Sequence, residues 1–375
     1  MKELDDILRL WNRARSQGEE AALATVVKTQ GSSYRSPGAR LLITSGGAYA
    51  GAVSGGCLED DLKKKAFWLT SQRPTVRKYE TTLDGEIDSK GYGLGCNGTI
   101  YVLLERVTPQ TAGVLDLIFD VCARRRPAAI AHCIQAELAG QRLILDTSGQ
   151  ITHNLVSPNT IDRLAKETRT ALGELKSRNV VVEGVEFFVE LLTPPLHLLV
   201  FGAGDDAVPL VRLAKFLGWR VSVFDGRAHY ARRERFPEAD HVQVTPAGQS
   251  GMGSSIDPWT AAVLMSHSYA QDLANLRELS SYPLRYLGIL GPRKRTLQLL
   301  ADAGLPAEAH PALHGPMGLD IGAEGAEQVA LAVAAEIQAS FHNRPGGLLR
   351  ERAGAIHSRE SGPAGRLVEP SAVSV

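Results

Sequence analysis

Two cysteines set in glycine loops are the residues best suited by type and spacing to chemistry. Ser54-Gly55-Gly56-Cys57-Leu58-Glu59 is a glycine turn running into a predicted helix start. Consecutive backbone N–H groups in such a turn can converge on an anion. The first helical turn also lowers a thiol pKa, which favours the thiolate of Cys57. Gly93-Leu94-Gly95-Cys96-Asn97-Gly98 places a second cysteine in another glycine loop. Together they suggest thiols near an anionic or metal-bearing ligand. The same spacing also fits plain turns with small buried cysteines, and spacing alone leaves both readings open. A third loop, Gly31-Ser32-Ser33-Tyr34-Arg35 through Pro37-Gly38-Ala39-Arg40, brings two arginines. Either they hold a phosphate bidentately or they are ordinary surface arginines.

The C-terminal half carries a different signal. Gly202-x-Gly204-x-x-Ala207 follows an apolar strand and opens a helix, and Asp225 ends the next strand. This is the dinucleotide-binding arrangement: Gly202 permits the tight turn and Gly204 admits a pyrophosphate. Ala207 lets helix and strand pack, and Asp225 accepts from a ribose hydroxyl. A Rossmann-like domain that holds no dinucleotide fits the same residues. Asp205 and Asp206 favour that alternative, because they place negative charge at the helix N-terminus where phosphate would sit. His267-x-Tyr269-x-x-Asp272 follows a later strand at the end where doubly wound sheets bind ligands. Capping and packing roles fit these residues equally.

The elements that must position these residues read as two domains. The chain has 375 residues, 41 Lys+Arg against 41 Asp+Glu, and hence no net charge. That balance gives no basis for a nucleic-acid or membrane-surface binder. The four cysteines, Cys57, Cys96, Cys122 and Cys133, show no C-x-x-C spacing and are expected as free thiols. No apolar h-region or membrane-length run is present, so a cytoplasmic protein is expected. Of the 37 glycines, eleven fall in residues 31–56 and 91–98. Residues 1–195 alternate helices with β-rich runs as a mixed α+β domain. After Pro194-Pro195 the pattern becomes strand–helix alternation over 196–342, which predicts a doubly wound parallel sheet. Residues 343–375 are expected to be a disordered tail.

Taken together, GSSYRSPGARLLI, GAVSGGCLE, GLGCNG, VFGAGDDAVPL with LGWRVSVFDGR, LMSHSYAQD, YLGILGPRKR and MGLDIGA resemble the XdhC/CoxI family of xanthine dehydrogenase accessory factors. The resemblance spans about residues 1–340. It implies a homodimeric chaperone that binds molybdenum cofactor (molybdopterin) and assists its sulfuration with a cysteine desulfurase. It further implies delivery to an apo molybdenum hydroxylase of the xanthine dehydrogenase or CO dehydrogenase type. On this reading Ser54, Gly55, Gly56, Cys57, Glu59, Gly95 and Cys96 are the leading cofactor site, with Arg35. Cys57 and Cys96 would contact molybdenum or sulfur, since thiolates are soft ligands. Gly202, Gly204, Asp225 and His267 form a second candidate site, with NAD(P) or nothing bound there. Three positions depart from the family pattern: Asp205 replaces a histidine, Asn97 replaces a glycine, and Glu324-Gly325 stands where Thr-Pro usually follows. Two other readings remain: an NAD(P)-dependent oxidoreductase using the C-terminal domain, and a non-catalytic scaffold that recruits the desulfurase or the target enzyme.

Overall fold

The computed structural model describes residues 2–31, 33–81, 98–108, 113–249, 256–306 and 312–352. They fall into two compact units, one over Glu3–Pro194 and one from Pro195 onward.

The first unit is built on two antiparallel sheets. Helix α1 (Lys2–Ser16) buries Ile7, Leu8, Trp11 and Ala14, the apolar stripe of a 3.6-residue period. Strands β1 (Ala21–Gly31), β2 (Arg40–Thr44), β3 (Tyr49–Gly51), β4 (Thr75–Thr81) and β5 (Gly98–Val107) form a sheet of order β3-β2-β1-β5-β4. β1 alternates between its two faces. Ala21 and Leu23 join the core shared with α1 and α3 (Gly113–Arg124), while Ala22, Ala24 and Val26 pack with Leu58, Leu62 and Ala66 of α2 (Cys57–Leu69). The second sheet has order β8-β7-β6-β10-β9. Its strands are β6 (Ala128–Cys133), β7 (Arg142–Leu145), β8 (Ile151–His153), β9 (Arg178–Val182) and β10 (Val185–Leu192). Its outer face is covered by α4 (Pro158–Gly173). Ser157 caps α4 by accepting the Thr160 N–H, and Pro158 occupies its first turn.

Sequence periodicity extends α4 to about residue 177. The helix instead stops at Gly173, Leu175 turns to positive φ, and the chain re-enters as edge strand β9. Glu183 and Gly184, both at positive φ, then close the β9–β10 hairpin.

The second unit is the expected doubly wound sheet, with six parallel strands in the order β13-β12-β11-β14-β15-β16. They are β11 (His197–Phe201), β12 (Arg220–Asp225), β13 (His241–Val244), β14 (Thr260–Leu264), β15 (Tyr286–Ile289) and β16 (Leu313–His314). Leu198, Val200, Val221 and Val223 face α5 (Ala207–Phe216) and α8 (Ala326–Phe341). Leu199, Phe201, Phe224 and Leu264 face α6 (Tyr269–Leu279) and α7 (Arg293–Ala303). Strand order reverses between β11 and β14, which puts the ligand crevice of this architecture between the turns that follow them. The strands β13 and β16 escape sequence reading because β13 is a largely exposed edge strand with no apolar run and β16 has only two residues.

Candidate functional site

In the first unit, the glycine turn is folded around a carboxylate of its own. Glu59, in the first turn of α2, accepts the N–H of Val53 at 2.9 Å, of Ser54 at 2.7 Å and of Gly56 at 3.0 Å. It also accepts the Ser54 hydroxyl. Burial pushes the Glu59 carboxyl up, but the Ser54 hydroxyl and the backbone donors outweigh it and hold it below the usual carboxylate range. The loop is thus an anion nest in geometry, with Glu59 as the anion. Gly55 N–H has no partner among the described residues.

Arg35 is brought to the same region. Glu3 pairs with Arg35 at 2.9 Å and accepts the Ala52 N–H at 2.8 Å, so one carboxylate ties the two loops together. A Cβ added at Gly55 would lie 4.0 Å from Cδ1 of the exposed Tyr34. Cys57 is the first residue of α2. Gly95 and Cys96 lie outside the described residues, and so does any joint role for the two cysteines. Cys122 and Cys133 are free thiols whose pKa values burial pushes up, so neither is set up as a thiolate.

Sequence reasoning missed the pair that supports this region. Arg40 is buried and donates to Gly38 C=O at 2.8 Å and to Glu190 Oε1 at 2.7 Å and Oε2 at 2.5 Å. Glu190 sits in β10, so the second sheet holds the loop from beneath. His132 lies 3.4 Å from the same carboxylate. A glutamate within the apolar run VEFFVELL was the available signal, because a buried charge demands a partner.

In the second unit, the structure brings Gly202, Gly204, Asp225 and His267 to one place. Gly202 has φ 125°, and a Cβ there would lie 2.4 Å from the Met265 carbonyl oxygen, so the turn after β11 needs glycine to pass the end of β14. At Gly204 a Cβ would lie 2.6 Å from Asp206 Oδ1. The space a pyrophosphate would use is therefore covered by an aspartate. Asp206 continues to His267, whose Nε2 lies 2.7 Å from Oδ2. Asp205 points away, its side chain 98% exposed and held at 2.5 Å by Arg235.

Asp225 is not presented to a ribose as the fingerprint implies. Its side chain is fully buried. It accepts Ala203 N–H at 2.8 Å and Arg227 through N–H, Nε and Nη2 at 2.8, 2.9 and 2.8 Å. Burial raises its pKa, but Arg227 and these backbone donors outweigh that and leave it low. Arg227 stacks over Tyr230, 4.2 Å from the ring centroid. Asp272 is likewise internal, accepting the Ser266 hydroxyl at 2.6 Å and Arg295 at 2.8 Å. Ser268 caps α6. The segment after β14 therefore divides its polar residues: His267 faces the crevice, while Ser268 and Asp272 maintain the fold.

Among the described residues no cluster of three or more His, Cys, Asp or Glu is arranged to hold a metal ion. No helix among them is long and apolar enough to cross a membrane.

Residues 198–337 match the family described as the XdhC Rossmann domain, and residues 14–80 match the XdhC and CoxI family. A Bacillus subtilis protein named as a probable component of xanthine dehydrogenase is 33% identical over 323 residues, covering 85% of this chain and 92% of the relative. The molybdenum cofactor insertion chaperone PaoD of Escherichia coli is 26% identical over 334 residues, covering 88% and 86%. A crystal structure described as a xanthine dehydrogenase from Bacillus halodurans superposes with TM-score 0.74 at 28% identity, covering 90% of this chain and 96% of that one.

Proposed function

Since the chain belongs to the XdhC and CoxI family, we propose that it is an accessory factor that binds molybdenum cofactor as cargo and delivers it to an apo molybdenum hydroxylase. The observation that carries this reading is the correspondence of both units, not the Rossmann unit alone, to a molybdenum cofactor insertion chaperone over 88% of the chain. Within this reading the factor assists sulfuration of the cargo with a cysteine desulfurase and works as a homodimer. Cys57 and Cys96 are the proposed thiol contacts, and the Ser54–Glu59 turn with Arg35 is the proposed cradle.

The crevice geometry is in keeping with cargo handling and gives little support to a nicotinamide oxidoreductase. A dinucleotide needs an acceptor for its ribose hydroxyls and an open helix N-terminus for its pyrophosphate. Here Asp225 is committed to Arg227 and Ala203, and Asp206 lies over Gly204.

The test is purification under anaerobic conditions from cells making the cofactor, with molybdenum and pterin measured per chain. The wild type is expected to retain both, and to activate an apo hydroxylase on mixing. Cys57→Ala and Cys96→Ala are expected to lose molybdenum. No pterin on the wild type would sink the proposal, whereas full retention by both variants would remove the cysteines from it.

A further inference from the structure

Two carboxylates of the chain's own satisfy the loops of the first unit that carry Arg35 and Ser54, and they are held very differently. Glu59 is buried and takes three backbone N–H groups and the Ser54 hydroxyl. Its loss would strand all four donors, so it is a fixed part of the turn. Glu3, in the first turn of α1, has a side chain 29% exposed and only two partners. Its Oε1 accepts the Ala52 N–H at 2.8 Å, and its Oε2 lies 2.9 Å from Arg35 Nη2.

This pairing leaves Arg35 underused. Its Nε is closed off from solvent, yet it has no hydrogen-bond partner among the described residues. Nε and Nη2 form the edge with which a guanidinium grips an oxyanion through two parallel bonds. Glu3 stands at the Nη2 corner of that edge. Water reaches both side chains of the pair, so it holds weakly. An anion that takes Nε and Nη2 together makes a charge-assisted bond that Glu3 leaves unmade. A phosphate dianion also brings a second negative charge, which a carboxylate lacks.

Resting on the cargo reading for the use of these loops, we propose that Glu3 is an internal latch on a phosphate subsite. Its carboxylate occupies Arg35 until a dianionic phosphate group, free or on a monoester, displaces it. The two oxygens of Glu3 divide the work. Oε2 yields Arg35 to the phosphate, while Oε1 keeps the Ala52 N–H and with it the tie between α1 and the loop. The competition is one of charge, so the latch selects for a ligand more anionic than itself.

The experiment titrates the full chain, purified without cargo, calorimetrically with inorganic phosphate and with phenyl phosphate. Glu3→Gln keeps an oxygen for the Ala52 N–H and loses only the charge. It is expected to melt like wild type and to bind phosphate about tenfold tighter, the scale of removing one unit charge beside a bound anion. Asp5→Asn is the control for net charge: its carboxylate lies on the same helix but pairs with Arg9 at 2.7 Å, and no gain is expected. In the Glu3→Gln background, Arg35→Gln is expected to abolish the gain. Arg35→Lys, which keeps the charge but not the two-bond edge, is expected to lose most of it. Tighter binding of phenyl phosphate than of phosphate identifies a monoester as the source, and equal binding identifies free phosphate. No gain in Glu3→Gln, an equal gain in Asp5→Asn, or a gain that survives Arg35→Gln would overturn the latch. Pterin missing from the purified wild type removes the cargo, whereas the Glu3→Gln titration decides the latch, so the two proposals fail separately.

Discussion

Nε2 of His267 meets Oδ2 of Asp206 at 2.7 Å, a bridge between the turns that follow β14 and β11. His267 makes it from positive φ, 57°, a conformation that a non-glycine residue adopts at a cost and that clusters at functional sites. The bridge keeps the Asp206 carboxylate over Gly204, in the place of a bound phosphate. Asp206→Ala is therefore expected to bind inorganic pyrophosphate about tenfold or more tighter than wild type. Removing one unit charge a few ångströms from an anion is worth about 1–4 kcal/mol in partly screened surroundings. Calorimetric titration measures this, and equal affinities would mean that Asp206 does not set the anion preference of the crevice.

Gly202→Ala tests the close approach of the two central strands. The new Cβ would meet the backbone of Met265 and Ser266, which cannot rotate aside, and φ 125° disfavours any side chain. A loss of about 2–4 kcal/mol is expected in denaturant unfolding, in the range of severe backbone and packing conflicts. Gly304→Ala, at positive φ on the C-terminus of α7 with open space around it, is the control and is expected to cost only about 1 kcal/mol.

The parallel sheet was legible because each of its long strands is a short apolar run closed by a glycine or polar turn and followed by an amphipathic helix. What the fingerprint could not reveal is which side chains its own neighbours consume. Arg227 lies two residues beyond Asp225 in the sequence, but nothing in that spacing shows that it chelates the carboxylate. Likewise the turn Ser54-Gly55-Gly56 reads from its glycines either as a nest for an external anion or as a plain turn. That Glu59 fills it follows only once α2 starts at Cys57 and directs Glu59 back over the loop. Arg40, Glu190 and His132 are far apart in sequence, and only the packing of two sheets joins them.

Glu59→Gln removes the charge from the nest and leaves its shape. The substitution is expected to cost about 1–3 kcal/mol at neutral pH, through weaker bonds to the Val53, Ser54 and Gly56 N–H groups. The pH dependence has a definite sign. The folded pKa of Glu59 lies below the ordinary 4.5, so its ionisation stabilises the fold above that value. That contribution is lost as pH falls through the depressed folded pKa. The stability gap between wild type and Glu59→Gln should therefore be constant from neutral pH to about pH 5 and shrink below 4.5. Unfolding curves at several pH values measure it, and a gap that persists at acid pH would assign the loss to shape.

The Arg40–Glu190 pair is a buried double charge, and its two single variants should behave alike. Burial pushes the Glu190 carboxyl up, but Arg40 and then His132 outweigh it, so Glu190 is ionised at neutral pH. Removing either partner strands the other charge between the two sheets. Arg40→Met and Glu190→Leu are each expected to cost about 3–5 kcal/mol. The double variant should recover most of that loss, because two apolar side chains of similar volume need no compensation there. Arg40 also carries the Gly38 carbonyl, and so the loop that presents Arg35. The double variant should thus be stable yet more readily cleaved by protease within residues 33–38. Stability recovered without increased cleavage would show that the loop is held by Arg35 and Glu3 instead.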